Sequence, residues 1–325
     1  MNYQMKLTAK LAIAVAATVL FQACSVKVPV ASPKQSENSY ARNDAEQAQV
    51  NMRFVNALGD DHKVEAGKLV NVFILEHEGK AIEAESFIKK ALKNEFDARG
   101  MPVDFKENAA DALILEHFEI LSDRKTGFSP MVTVSTLKMA LEHADTTRTY
   151  VSMVKRAKVP VWSMDEINDP CYNEPTTLLV REIAAKINKS LFGYRLNDEE
   201  VDRLMHKISA NKEDPLAYLD VYELGFSNNT KAIGYLETLT EDPHEYIRLA
   251  AISGLGVLGD ENQFGRLASI NEQSDIWQDR AMALKAIGDL GTEKAKDYLE
   301  KEKSRWEGKN TKEALWNLRI INLYL

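Results

Sequence analysis

The hydrophobic rhythm of the chain changes several times. An apolar run from Leu11 to Phe21 follows Lys6 and Lys10, with no acid before it. Residues 25–38 then lose all apolar periodicity and hold Pro29, Pro33, Ser25, Ser32, Ser36 and two lysines. That composition predicts a flexible tether over 24–38. Tyr40 to Leu58 reads as a helix closed by Gly59-Asp60-Asp61. Leu69 to Leu75 is a branched apolar run of strand length that ends before Gly79. Ala84, Phe87, Ile88, Ala91, Leu92 and Phe96 recur at helical spacing, and Gly100 stands where a helix-closing glycine belongs. Ala112 to Leu121, Met131 to Leu141 and Thr149 to Val154 predict three further strands, separated by polar turns at Ser122–Gly127 and Asp145-Thr146-Thr147. Thr176 to Leu191 places Leu179, Ile183 and Ile187 on one helical face. The order is β-α-β-β-β-α over residues 39–192. It predicts a mostly antiparallel sheet whose helices cover one face.

From Asn197 the strand signals stop and the sequence repeats itself. Ile247 to Gly259 lies over Asp279 to Gly291 at an offset of 32 residues, with Arg248 on Arg280, Ala251 on Ala283, Gly256 on Gly288 and Gly259 on Gly291. Lys231 to Glu237 lies over Lys294 to Glu300 at an offset of 63, about two periods. A period of this length means stacked helical hairpins, none of which buries its apolar face alone. The motif resembles short HEAT-like repeats, including those of phycobilisome lyases. The fold class expected is therefore α+β: an N-terminal β-α-β-β-β-α sandwich followed by a short all-α HEAT-like solenoid over 197–325. The N-terminal element order resembles the small α/β domains of periplasmic outer-membrane lipoproteins.

The start of the chain bears on location. Eleven apolar residues span about 16 Å as a helix, too short for a bilayer core of about 30 Å. That length suits the core of a signal peptide over residues 1–23. The run ends in Leu20-Phe21-Gln22-Ala23-Cys24. This resembles the lipobox of bacterial lipoproteins, with Phe21 and Gln22 where the family usually has Leu and a small residue. The resemblance implies a thioether-linked diacylglycerol on Cys24. Ser25 in place of Asp implies the outer membrane, facing the periplasm. An ordinary secretory peptide, cut after Ala23 and leaving Cys24 free, is the alternative.

The formal net charge is −8, and loss of Lys6 and Lys10 with the signal takes it to −10. An acidic chain of this kind argues against nucleic acid and against electrostatic docking on anionic lipid. Cys171 is the one other cysteine, so no disulfide framework is expected once Cys24 is acylated. Cys171 lies in a turn-rich stretch with no partner histidine legible nearby, and reads as buried or incidental.

Chemistry is sparse. There is no phosphate-cradling glycine loop, no Gly-x-Ser-x-Gly elbow and no His-Glu-x-x-His helix. Leu-Glu-His occurs three times, ending at His77, His117 and His143. These histidines read as surface or strand-edge groups, with a metal site the alternative. Tyr218, Tyr222, Tyr235, Trp277, Tyr298, Trp306 and Trp316 read mainly as core, with a contact patch the alternative. The expectation is a non-enzymatic envelope scaffold or assembly factor with no cofactor and no metal. It would bind another envelope protein through its repeats and the membrane through the lipid at Cys24. An enzyme acting on a cell-wall or lipid substrate, or a small-ligand-binding lipoprotein, are the alternatives.

Overall fold

The computed structural model describes residues 26–41, 48–58, 65–66, 73–124, 126, 129–159 and 161–325. The expected signal peptide, Cys24, the Gly59-Asp60-Asp61 stop and residues 69–72 of the first expected strand lie outside the described residues. Nine strands are described: β1 Val26–Pro29, β2 Val50–Asn56, β3 Glu65–Ala66, β4 Phe73–His77, β5 Lys80–Ala81, β6 Val103–Phe105, β7 Asp111–Asp123, β8 Met131–His143 and β9 Thr146–Lys158. They form one sheet. Its spine is the antiparallel meander β7-β8-β9, paired along almost its full length. Ala144 and Asp145 both have positive φ, the two-residue turn that matches strand twist in a hairpin. The other edge of β7 is shared. β2 pairs parallel with Asp111–Leu115, and β3 pairs with Ile120 and leads outward to β4 and β1.

Two expectations fail at the N-terminus. The flexible tether is not flexible beyond Val26. Val26, Val28 and Val30 alternate with polar residues or proline, a strand period, and Val26–Pro29 pairs parallel with Phe73–Glu76. An edge strand tolerates Pro29. Val28 and Val30 are buried, and Ser36 donates its backbone N–H (2.9 Å) and hydroxyl (2.6 Å) to Glu95. The expected helix over Tyr40–Leu58 is replaced at Val50–Asn56 by β2, where Val50, Phe54 and Val55 suit a strand bonded to β6 and β7.

Helices α1 (Ala84–Ala98) and α2 (Glu174–Leu191) pack on each other beside the sheet, with α2 along β8 and β9. A π-helical turn, Asn168–Asn173, leads into α2 and buries Cys171 completely. Burial pushes the Cys171 thiol up to about 11.

The rest is helical: α3 Asp198–Ala210, α4 Ala217–Gly225, α5 Ile233–Leu239, α6 Glu245–Leu258, α7 Phe264–Gln273, α8 Trp277–Leu290, α9 Glu293–Trp306 and α10 Lys312–Tyr324. Helices α4, α6, α8 and α10 stand side by side as an inner row, with α5, α7 and α9 outside them. The inner helices run parallel, because their starts meet starts and their ends meet ends. Arg248 reaches Asp279 near the starts of α6 and α8; Gly256 meets Ala286 near their ends. A Cβ on Gly256 would lie 2.6 Å from Ala286 Cα, so only glycine permits this approach.

The fold is α+β, as expected, but one hydrophobic core runs through both halves, from Val28 to Ile321. The expected boundary near residues 192–197 changes the element type without breaking the core: Tyr194 and Leu196 are buried, and Tyr40 donates its hydroxyl to Phe226 O at 2.7 Å.

Candidate functional site

The inner row meets the sheet region along β9 and α2, and its two ends do so differently. At the helix starts a motif recurs. Arg248 pairs with Asp279 at 2.9 Å and donates to Asp242 O and Pro243 O. Thirty-two residues on, Arg280 pairs with Glu313 at 2.7 Å and donates to Ser274 O. Each arginine thus ties its helix to the start of the next and closes the preceding loop. This is why the repeat keeps arginine at this position.

At the helix ends an ion cluster is buried between α2, α8 and α10. Lys285 contacts Glu182, Asp289 Oδ2 at 2.7 Å and Ser253 Oγ at 2.7 Å. Lys186 contacts Glu182 and Asp289, each at 2.6 Å, and Val151 O. Ser152 on β9 donates to Glu182 at 2.8 Å, and Tyr324 donates to Asp289 at 2.7 Å. Burial works to raise the Asp289 pKa, but Lys186 and Lys285 outweigh it and hold the carboxyl below its ordinary value. Burial works against the Lys285 charge, but Asp289 and Glu182 outweigh it and hold the ammonium above its ordinary value. An acid held ionised donates no proton, and an amine held protonated is no nucleophile. Two ammoniums balance two carboxylates, so the cluster is a static tie between the halves.

Beside this cluster opens a cleft of about 540 Å³, lined by Arg148, Tyr150, Lys186, Lys189, Asp289 and Tyr324 among others. Lys189 donates to Val257 O and Gly259 O at 2.8 and 2.9 Å, a cation on the carbonyl end of α6. Burial lowers its pKa. The Tyr150 hydroxyl is buried and makes no hydrogen bond of ordinary geometry. Arg148 makes one long bond to Ser190 O, at 3.4 Å. Arg148 and Lys189 give the cleft a surplus of positive charge over the balanced cluster.

The residues singled out from sequence are not gathered here. His77 bonds Val30 O at 2.9 Å and Ser32 at 3.3 Å; His117 bonds Thr136 at 2.8 Å; His143 pairs with Asp111 at 2.8 Å. Unbroken pairing from Asp123 with Val132 puts His117 opposite Lys138, and the β-bulge lies beyond it, between Leu115 and His117. Among the described residues no three metal-ligating groups cluster. Tyr218 and Tyr222 are buried, and Tyr218 and Tyr246, tilted against each other, both lie against the Arg156 guanidinium, at 4.2 and 4.1 Å. Trp277 and Trp316 line a small apolar gap against Val134 and Met153 of the sheet. The other three aromatics are partly buried against the core. The ion cluster itself went unseen in the sequence. One signal was available: Lys285 falls where the preceding repeat has Ser253, a long cation at a core position.

No family model matches the chain, and no curated protein matches it. Among solved structures, one titled "Crystal structure of uncharacterized protein" aligns over 51% of this chain and 99% of its own, at 12% identity and a TM-score of 0.31. No helix among the described residues is long and apolar enough to cross a membrane.

Proposed function

We propose that the protein is a lipid-anchored scaffold or assembly factor of the bacterial cell envelope. A diacylglycerol on Cys24 holds it to the periplasmic side of the outer membrane, and its helical repeats, of HEAT-like type, bind another protein. The anchor rests on the Leu20–Cys24 segment. The binding role rests on one observation above all: α2 and the sheet pack against the inner row of the repeat stack. A repeat protein ordinarily offers its inner, concave row. Here α6 and α8 bury that row against α2 and β9. The partner surface is therefore the outer row, along which Gly265 at the start of α7 and Lys296 in α9 are exposed. Photo-crosslinking residues at Gly265 and Lys296 should capture one envelope protein in cells, and one at Glu107 on the sheet side should not. Equal capture from all three positions would overturn the reading. Fatty-acid labelling should mark the wild-type chain and not Cys24→Ala.

The cleft beside the ion cluster favours a second reading, a small-ligand-binding lipoprotein. Its ligand would be an anion, because Arg148 and Lys189 bring positive charge to the cleft beyond the balanced cluster. Inorganic phosphate or citrate should then raise the melting temperature of wild type more than that of Arg148→Gln. The same rise in both would exclude this site.

A further inference from the structure

We infer that the end of the molecule formed by the starts of the inner helices lies on the lipid surface itself, with Trp162, Val159, Leu216, Ile276 and Leu315 dipping into the bilayer interface. The inference rests on the acylation of Cys24 proposed above and adds how the body sits once anchored.

The geometry follows from strand register. Val26 pairs with Phe73, Phe73 with Ala66, and Ala66 with Ile120. β1 therefore runs antiparallel to β7, and its first residue, Val26, faces the end of the sheet where β7 finishes, at Asp123. Met131 pairs with Lys158, so β8 begins and β9 finishes at that same end. The inner helices start there too. Lys312 of α10 pairs with Asp123 at 2.8 Å, Tyr246 of α6 bonds the Ala157 backbone, and Tyr218 of α4 stacks on Arg156. Trp277 of α8 shares the apolar gap with Met153 and Lys155.

Exposed apolar side chains gather at this end. Among the described residues six large hydrophobics are exposed, and five are here: Trp162 (82%), Leu315 (62%), Val159 (55%), Leu216 (49%) and Ile276 (39%). The sixth, Leu325, ends the chain at the opposite end. Val159 and Trp162 follow directly on β9; Leu216 and Ile276 immediately precede α4 and α8, and Leu315 lies in the first turn of α10.

The occupant is decided by the length of free chain. Because Val26–Pro29 is a packed strand, only Ser25 separates Cys24 from the folded body. Two residues reach at most about 7 Å. A lipid on Cys24 brings this end against the membrane, and a protein partner here would have to displace the bilayer. Trp is the side chain best suited to the headgroup level. Charges around the rim are mixed, with Lys158 and Lys212 against Glu213 and Asp275. The contact is apolar, and indifferent to salt and to anionic lipid.

The test imposes the tether chemically, so that it stands apart from acylation in the cell. The full chain from Cys24 is coupled through the Cys24 thiol to a maleimide lipid in phosphatidylcholine vesicles; Cys171 is buried and stays unmodified. Brominated acyl chains should quench the tryptophan fluorescence, and Trp162→Phe should remove more than half of that quenching. The quenching should be unchanged in high salt. Leu315→Asp, a surface change that leaves the core intact, should weaken quenching of Trp162 by at least a factor of two. Wild type that is coupled but unquenched, or quenching that survives Trp162→Phe in full, would overturn the proposal. Absence of fatty-acid label on Cys24 in cells would instead overturn the anchoring on which it rests.

Discussion

The two ends of the inner helix row hold together by different means. At the starts, the same device is used twice: Arg248 with Asp279, and Arg280 with Glu313. At the ends, the groups are used once: Glu182 and Lys186 from α2, Lys285 and Asp289 from α8, Tyr324 from α10. Contacts that recur with the repeat belong to the stack and would serve any neighbouring pair of hairpins. Contacts that occur once belong to the union of the stack with the sheet. The repetitive end faces the proposed lipid surface; the singular end opens into the cleft.

The sharpest way to break this contrast is to remove the central cation. Lys285→Met should leave Glu182 and Asp289 buried with too little compensation and cost about 3–5 kcal/mol in urea unfolding. Because the halves share one core, helix and sheet signals should be lost in a single transition. A cost below about 1 kcal/mol would mean that Lys186 alone balances both acids. The next effect tests the close approach near the same end. Gly256→Ala should cost about 1–3 kcal/mol by overpacking against the Ala286 backbone. Gly234→Ala in α5, with open space around it, should be neutral or slightly stabilising. Equal melting shifts in the two variants would refute the approach. The repetitive end should respond more mildly. Arg248→Ala should cost about 2 kcal/mol and the less buried Arg280→Ala about 1 kcal/mol, both by thermal unfolding.

The smallest effect is in pH dependence, and its sign differs between the ends. Burial raises the Asp279 pKa above the ordinary carboxylate value, with Arg248 opposing it incompletely. A raised carboxyl contributes stability below its unfolded pKa and loses it as pH rises through the folded one. Asp289 is held below its ordinary value, so its contribution is present above about pH 3.9 and lost as pH falls through the folded pKa. On acidification from neutrality, urea midpoints of Asp279→Asn should lack the slight rise that wild type shows before the acid loss. Midpoints of Asp289→Asn should show a weaker acid loss. The same pH profile in both variants would erase the electrostatic difference between the ends.

Legibility followed the same division. The meander β7-β8-β9 and helices α1, α2, α6 and α8 were readable because each shows its own period over six or more residues, though only Thr149–Val154 of β9 was legible. The Arg248–Arg280 correspondence was readable as alignment, though not as an ion ladder, because each partner acid lies on the following helix. β1 escaped because four residues of alternation among prolines resemble a tether. β2 escaped because it takes its place only when β6 and β7 flank it. The three Leu-Glu-His segments repeat in sequence, but their histidines end up on three strands, His77 on β4, His117 on β7 and His143 on β8, each with its own partner.

The sequence by itself determined the α+β order, the 32-residue stack and the aliphatic fill of its core. These depend on periodicity, which is local and needs no partner. Only the tertiary structure decided that the inner row of the stack is covered, that the supposed tether is a strand, and that Lys285 meets Glu182. Those two residues are 103 positions apart, and no local pattern links a buried ammonium to a carboxylate at that distance. Their pairing is forced only when packing excludes water from both, for then each charge is too costly to keep without the other.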